Sequence, residues 1–211
     1  MKLKYFFLLF FLLVVSLVQA QKMRDVFAEM PDDVLRVMTK NNRLDCIDFI
    51  ENNMTAKVRN RLEGFSELKR LTSDYLDLSL TERTRVEMKL LPIADSLNII
   101  AVVKTFSGPM KMSTLTLYDA EWKRLPQKDY ITFPQYEAYW VLNDTLGHDE
   151  VKRLQSLQDM HFITMSLEEA SCRLVFELHS GDVEKEDAEQ MKKVLQPIVF
   201  VWDGKKFRRL E

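Results

Sequence analysis

Leu78-Ser79-Leu80 leads from Tyr75 into a strand-like run that ends at Leu91. Met165-Ser166-Leu167 leads in the same way from Phe162 to Leu178, 87 positions later. The two stretches also close alike. Tyr118-Asp119 precedes Trp122-Lys123-Arg124-Leu125, and Trp202-Asp203 precedes Phe207-Arg208-Arg209-Leu210. In both stretches apolar residues alternate with polar ones, the period of a strand with one buried face. A duplicated sheet with an apolar face must bury that face under helices or against its twin.

The first copy reads as a four-stranded meander. Leu76, Leu78 and Leu80 alternate with Asp77 and Ser79. Val86, Met88 and Leu90 alternate with Arg85, Glu87 and Lys89. The charged set is expected on a solvated face, paired across strands. Pro92 is expected to end that strand. Ile99 to Val103 is apolar on both sides of the pleat and reads as a central strand, with Leu115 and Leu117 on the next. In the second copy Glu184 to Leu195 is charged and helix-like where the first has its central strand. Ile198, Phe200 and Trp202 make the return strand, and Asp203-Gly204 signals a hairpin turn.

Ahead of the sheets the period is helical. Met23, Val26, Phe27 and Met30 recur at three- and four-residue spacing. Pro31-Asp32-Asp33 interrupts them and restarts a turn with Val34, Leu35 and Met38. Lys40 to Arg43 reads as a polar junction. A third helix carries Leu44, Ile47, Ile50 and Met54, with Val58 and Leu62 extending its stripe to Gly64. Asp149 to Leu157 is a further helix. The fold class is therefore α+β: N-terminal helices followed by two related antiparallel β-meander units with helices packed on the sheets. Residues 21–125 hold the helical segment and first unit, and 126–211 the diverged copy, with one continuous core expected.

Lys2 and Lys4 precede an unbroken apolar run from Tyr5 to Val15, and Val18 and Ala20 stand at the small positions before Gln21. This is the pattern of a secretory signal peptide over 1–20, and the run is short of the roughly 20 residues that span a bilayer. Without Lys2 and Lys4, 28 basic residues face 32 acidic ones, a net charge of −4. Both signs are mixed along the chain, and no basic block suggests nucleic acid. An exported, periplasmic or extracellular protein with no membrane span after cleavage is expected. Export permits a disulfide between Cys46 and Cys172, although their settings suit two separate buried thiols.

Catalytic and cofactor motifs are sparse. His148, His161 and His179 have no metal-ligand spacing, although His161 and His179 could meet across paired strands. The five glycines form neither a nucleophile elbow nor a phosphate loop. No metal or other cofactor is expected. Tyr136, Tyr139 and Trp140 are the binding candidates, since aromatic rings give large contact area to sugars and proteins. Packing between the two halves would use the same rings. Asn53-Met54-Thr55 and Asn143-Asp144-Thr145 fit the N-glycosylation pattern.

Thr39-Lys40-Asn41-Asn42-Arg43-Leu44 with Ile47-Asp48-Phe49, then Arg85-Val86-Glu87-Met88 and the closing Trp202-Asp203-Gly204-Lys205, resembles an uncharacterised family of exported Bacteroidetes proteins. The resemblance covers nearly all of the mature chain and implies an envelope location, with no catalytic residues to carry over. It also implies that Asp95-Ser96-Leu97 and Asp144-Thr145-Leu146 are similar to the O-glycosylation sites of that phylum. The residues favour a non-catalytic binding or structural role, with an envelope protein or glycan as partner. The alternative is a hydrolase acting on envelope glycan or peptide. Glu82 and Glu169, at matching positions of the copies, and His179 would then be its first catalytic residues.

Overall fold

The computed structural model describes residues 21–94, 97–142 and 146–210. The expected signal peptide, Ser96, Thr145 and the sequon at Asn143 lie outside them. Helices α1 (Met23–Glu29) and α2 (Lys40–Glu51) come first. A seven-stranded antiparallel meander follows, with neighbours in chain order: β1 (Lys57–Arg59), β2 (Phe65–Leu71), β3 (Tyr75–Thr81), β4 (Thr84–Ala94), β5 (Leu97–Ser107), β6 (Lys111–Tyr118) and β7 (Arg124–Leu125). A connector with two short 3-10 turns leads to α3 (His148–Ser156). Then come β8 (Phe162–Leu167), β9 (Arg173–His179), α4 (Lys185–Val194), β10 (Ile198–Trp202) and β11 (Phe207–Arg209). The last four strands form a second antiparallel sheet in the order β11-β10-β9-β8.

The large sheet is buried on both faces. Leu76, Leu78, Val86, Met88, Ile100 and Val102 meet α1, α2 and the turns between them. Leu91, Ile99, Ala101, Val103, Leu115 and Leu117 meet the second sheet, α3, α4 and the connector. The doubly apolar β5 lies between β4 and β6, the interior place that its run from Ile99 to Val103 requires.

Five expectations are corrected. First, the sheet has seven strands rather than four. Asn53, with φ 56°, follows the end of α2, and Val58 enters β1 rather than a helix. Second, α2 begins at Lys40. Thr39 and Asn42 form a reciprocal capping box, so the expected polar junction is a helix start. Arg43, Cys46 and Ile47 face inward, while Leu44 and Met54 are exposed.

Third, the charged face of β4 is not solvated. Glu87 and Lys89 are 2% and 1% exposed, because the turn after β8 covers them. Lys89 Nζ donates to Glu169 O at 2.7 Å and pairs with Asp74 at 2.8 Å. The exposed Arg85 keeps its expected cross-strand pairing to Asp77. Fourth, β4 continues past Pro92 to Ala94. Its pairing with β3 stops at Lys89 and Tyr75, so a proline there removes no donor that β3 needs. Fifth, the sheets are unequal and are not clear repeats. The segment matching β5 is α4, with Glu186 and Asp187 in its first turn and Lys192 and Lys193 in its last, as the helix dipole favours. The place beside β9 passes to β10. The closings do match: Asp119 and Asp203 each accept two backbone N–H groups from their own turns.

Arg43 orders the N-terminal layer. Its guanidinium, 1% exposed, donates to Phe27 O at 3.0 Å, to Asp32 Oδ1 at 2.9 Å and to Met30 O. These acceptors lie on the end of α1 and the turn after it. Arg43→Met should lower unfolding free energy by about 3 kcal/mol, because it strands buried carbonyls. Arg43→Lys should recover little, since one ammonium does not match the fork. Urea denaturation at neutral pH checks both.

Glu87 gives a pH signature. Its Oε1 accepts from Tyr75 Oη at 2.9 Å and pairs with Arg85 at 3.2 Å. Its Oε2 is buried with no hydrogen-bond partner among the described residues. Burial raises its pKa against the opposing pull of Arg85 and Tyr75. The folded state therefore holds this proton more tightly than the unfolded chain does. Stability from this group is full below the ordinary carboxylate range and is lost as pH rises through the raised value. Glu87→Gln, which keeps the acceptor for Tyr75, should lose that decline and gain stability relative to wild type between pH 4 and pH 7. Denaturation midpoints at the two pH values check the sign.

Candidate functional site

The connector between the sheets carries the aromatic run, and its rings are used in packing. Tyr139 is 0% exposed and Trp140 is buried. Backbone bonds lock the run to the end of α4: Val141 N donates to Val194 O, and Gln196 N to Tyr139 O. Tyr136 is half-buried, with its ring stacked on His161 at 3.7 Å between centroids and edge-on to Trp140. Tyr136, Tyr139 and Trp140, which suit either a binding surface or packing between the halves, form an interior wall with a single partly exposed ring. Burial pushes the Tyr139 phenol up to about 12, with Arg209 opposing the shift.

The alternative catalytic residues are not brought together. Glu82 is exposed in the β3–β4 turn and lines a shallow groove with Leu62 and Phe65. Glu169 lies in the β8–β9 turn, with its carboxylate 3.4 Å from Arg70 and its carbonyl on Lys89. Thr84, next to the Glu82 turn, is five residues along β4 from Lys89, roughly 17 Å of extended strand. His179 closes β9, the far end of that strand from Glu169. Its Nε2 is hydrogen-bonded to Thr164 Oγ1 at 2.8 Å. His161 and His179, which the sequence allows to meet across paired strands, have other neighbours. His179 pairs with Phe162 across the strands, while His161 turns to Tyr136. Among the described residues, no group of three or more His, Cys, Asp or Glu side chains could hold a metal ion.

The cysteines lie in different layers and are unbonded. Cys46, in the helical layer, donates to Ala56 O at 3.5 Å, and burial pushes its thiol up to about 11. Cys172, beside the second sheet, is also raised by burial. Neither is an activated thiolate.

The connector does build one concave site. Tyr130 stacks on Trp202, and Phe133 packs edge-on against Phe176. Between these rings the connector runs beside β11. Phe207 N donates to Tyr130 O at 2.8 Å, the one backbone bond between them among the described residues. The opening is a groove of about 490 Å³. Ile131, Phe133, Phe200 and Phe207 supply its apolar lining, and Lys128, Lys206, Arg208 and Arg209 its charge, against Asp129 alone. Arg208 is paired with Asp203, whose carboxylate is held down at about 2 by the Lys206 backbone N–H, Arg208 and the Lys205 N–H. Lys128, Lys206 and Arg209 have no ion pair among the described residues, and all three are exposed. The Phe207-Arg208-Arg209 closing is visible in the sequence, but nothing there brings Lys128 beside it. The connector's path does that.

A family model described as "Protein of unknown function (DUF3256)" matches residues 15–207. No curated protein matches the sequence. A solved structure, of a domain of an uncharacterized protein from Porphyromonas gingivalis W83, a Bacteroidetes organism, is similar over 90% of this chain and 100% of that one. The TM-score is 0.76 at 23% identity, a likeness of fold.

Proposed function

We propose that this chain, which belongs to the DUF3256 family of proteins of unknown function, is an exported envelope protein with a non-catalytic binding role, and that the groove between its connector and β11 takes an anionic ligand. The observation that carries this reading is the set of three cations free of ion pairs, Lys128, Lys206 and Arg209, around an aromatic floor. Apolar surface with a few convergent charges is the usual make-up of a ligand site, and the volume is of the usual size. The dispersal of Glu82, Glu169 and His179 gives hydrolysis no comparable support. Export is supported by the basic start and apolar run of residues 1–20. Among the described residues, no helix is long and apolar enough to cross a membrane. On this reading residues 21–125 and 126–211 are one working unit. The second half supplies the groove, and the first supplies the support beneath it.

The test is a titration followed by amide NMR, with an oligogalacturonate and an acidic peptide as anionic probes and an oligolysine as control. Shifts should gather at Lys128 to Pro134 and at Phe207 to Arg209, and should weaken with salt. The double variant Lys206→Glu/Arg209→Glu should lose about tenfold or more in affinity. If neither anionic probe moves these amides, the reading is wrong.

A further inference from the structure

The groove is bordered by backbone as well as by side chains. β11 is the outermost strand of its sheet. Antiparallel partners alternate between residues whose backbone groups point at the neighbour and residues whose groups point away. Leu210 N donates to Val199 O, so Leu210 points inward, as does Arg208 opposite Val201. Phe207 and Arg209 therefore point outward. The Phe207 N–H is taken by Tyr130 O. The Phe207 C=O and both backbone groups of Arg209 have no backbone partner among the described residues. Among the described residues one backbone bond, from Phe207 N to Tyr130 O, joins the connector to this edge, and the groove lies between the connector and the unfilled part of the edge.

The geometry points to an extended acidic peptide segment as the ligand, added as a strand to the free edge of β11. This rests on the anion-binding reading above and names its ligand class. Strand addition takes affinity from main-chain hydrogen bonds and specificity from the side chains beside them. The open groups of Phe207 and Arg209 supply the first. By the strand period Arg209 shares its face with Phe207 and Phe200, while Lys206 and Arg208 fall on the other. Carboxylates of such a strand would therefore meet cations on both of its faces, and its apolar residues would meet Phe133, Phe200 and Phe207. The same cations argue against a second copy of this chain on the edge. Two β11 strands side by side would set Arg209 and Lys206 against their own like charges, a usual guard against self-pairing.

The experiment uses a fluorescent peptide of alternating aspartate and valine, bound to the chain from residue 21 onward and read by anisotropy. A second peptide carries N-methyl groups on every backbone amide, aspartate and valine alike, since alternate residues turn their amides to opposite edges of a strand. It keeps every charge but cannot complete a ladder. The plain peptide should bind, and N-methylation should cost about tenfold. Lys206→Glu/Arg209→Glu, at exposed positions checked for folding by circular dichroism, should cost a similar factor. Hydrogen exchange at the Arg209 amide should slow when the plain peptide is added.

Equal binding of the N-methylated peptide, or unchanged exchange at Arg209, would overturn strand addition while leaving an anion groove in place. Tighter binding of polygalacturonate than of the peptide would assign the groove to an acidic glycan and overturn the peptide class. Failure of every anion to bind would overturn this inference together with the reading beneath it.

Discussion

β5 is apolar on both sides of its pleat, and the rest of the architecture answers that demand. A strand of this kind cannot lie on a sheet with one wet face, because each exposed aliphatic side chain forgoes about 1.5–3 kcal/mol of burial. One side of β5 and its neighbours is covered by α1, α2 and the turns between them. The other is covered by the second sheet, α3, α4 and the connector. The chain is thus layered around its central strands, and its two cores lie on opposite faces of one sheet.

Covering the second face has a cost at β3 and β4, where that face carries Asp77, Arg85, Glu87 and Lys89. The structure pairs these groups, burying Glu87 and Lys89 and leaving Arg85 at the surface. Lys89 reaches Asp74 and the Glu169 carbonyl, and Glu87 is held by Tyr75 and Arg85. Ser113 Oγ donates to Met165 O, and Trp202 Nε1 donates to Pro92 O at 2.7 Å. These contacts join the two sheets through polar atoms at fixed positions. Such bonds set how one layer sits on the other better than apolar packing does, because a displaced buried donor loses its partner outright.

The aromatic connector spends most of its rings on this join. Tyr139 and Trp140 are wedged beside α4, Tyr130 stacks on Trp202, and Phe133 meets Phe176. A run of aromatics reads equally well as a binding surface or as a packing strap, since both uses reward large rings. What separates them is which neighbours arrive, and those neighbours come from distant parts of the chain, His161 for Tyr136 and Trp202 for Tyr130 among them. The groove has the same origin. Its charges come from Lys128 and from Lys206, Arg208 and Arg209, its floor from β10 and β11, and its other wall from the connector.

Local chemistry alone determined a good deal here. The alternation in β3, β4, β8 and β9, the doubly apolar β5, the helix α3, the charged helix α4 and the Asp-Gly turn before β11 were all legible, because each depends on period, capping or turn residues within a few positions. The start of α2 is not legible, because an asparagine serves a capping box as well as a loop. β1 is hidden because Val58 and Leu62 also fit a helical stripe, and no sequence expectation covers β2 at Phe65–Leu71. Only the tertiary structure decided that Glu87 and Lys89 are buried, that Tyr139 and Trp140 are core, and that Lys128 stands by Arg209. A strand's period says which residues share a face. It does not say what covers that face, and burial, ion pairing and a binding groove all depend on the cover.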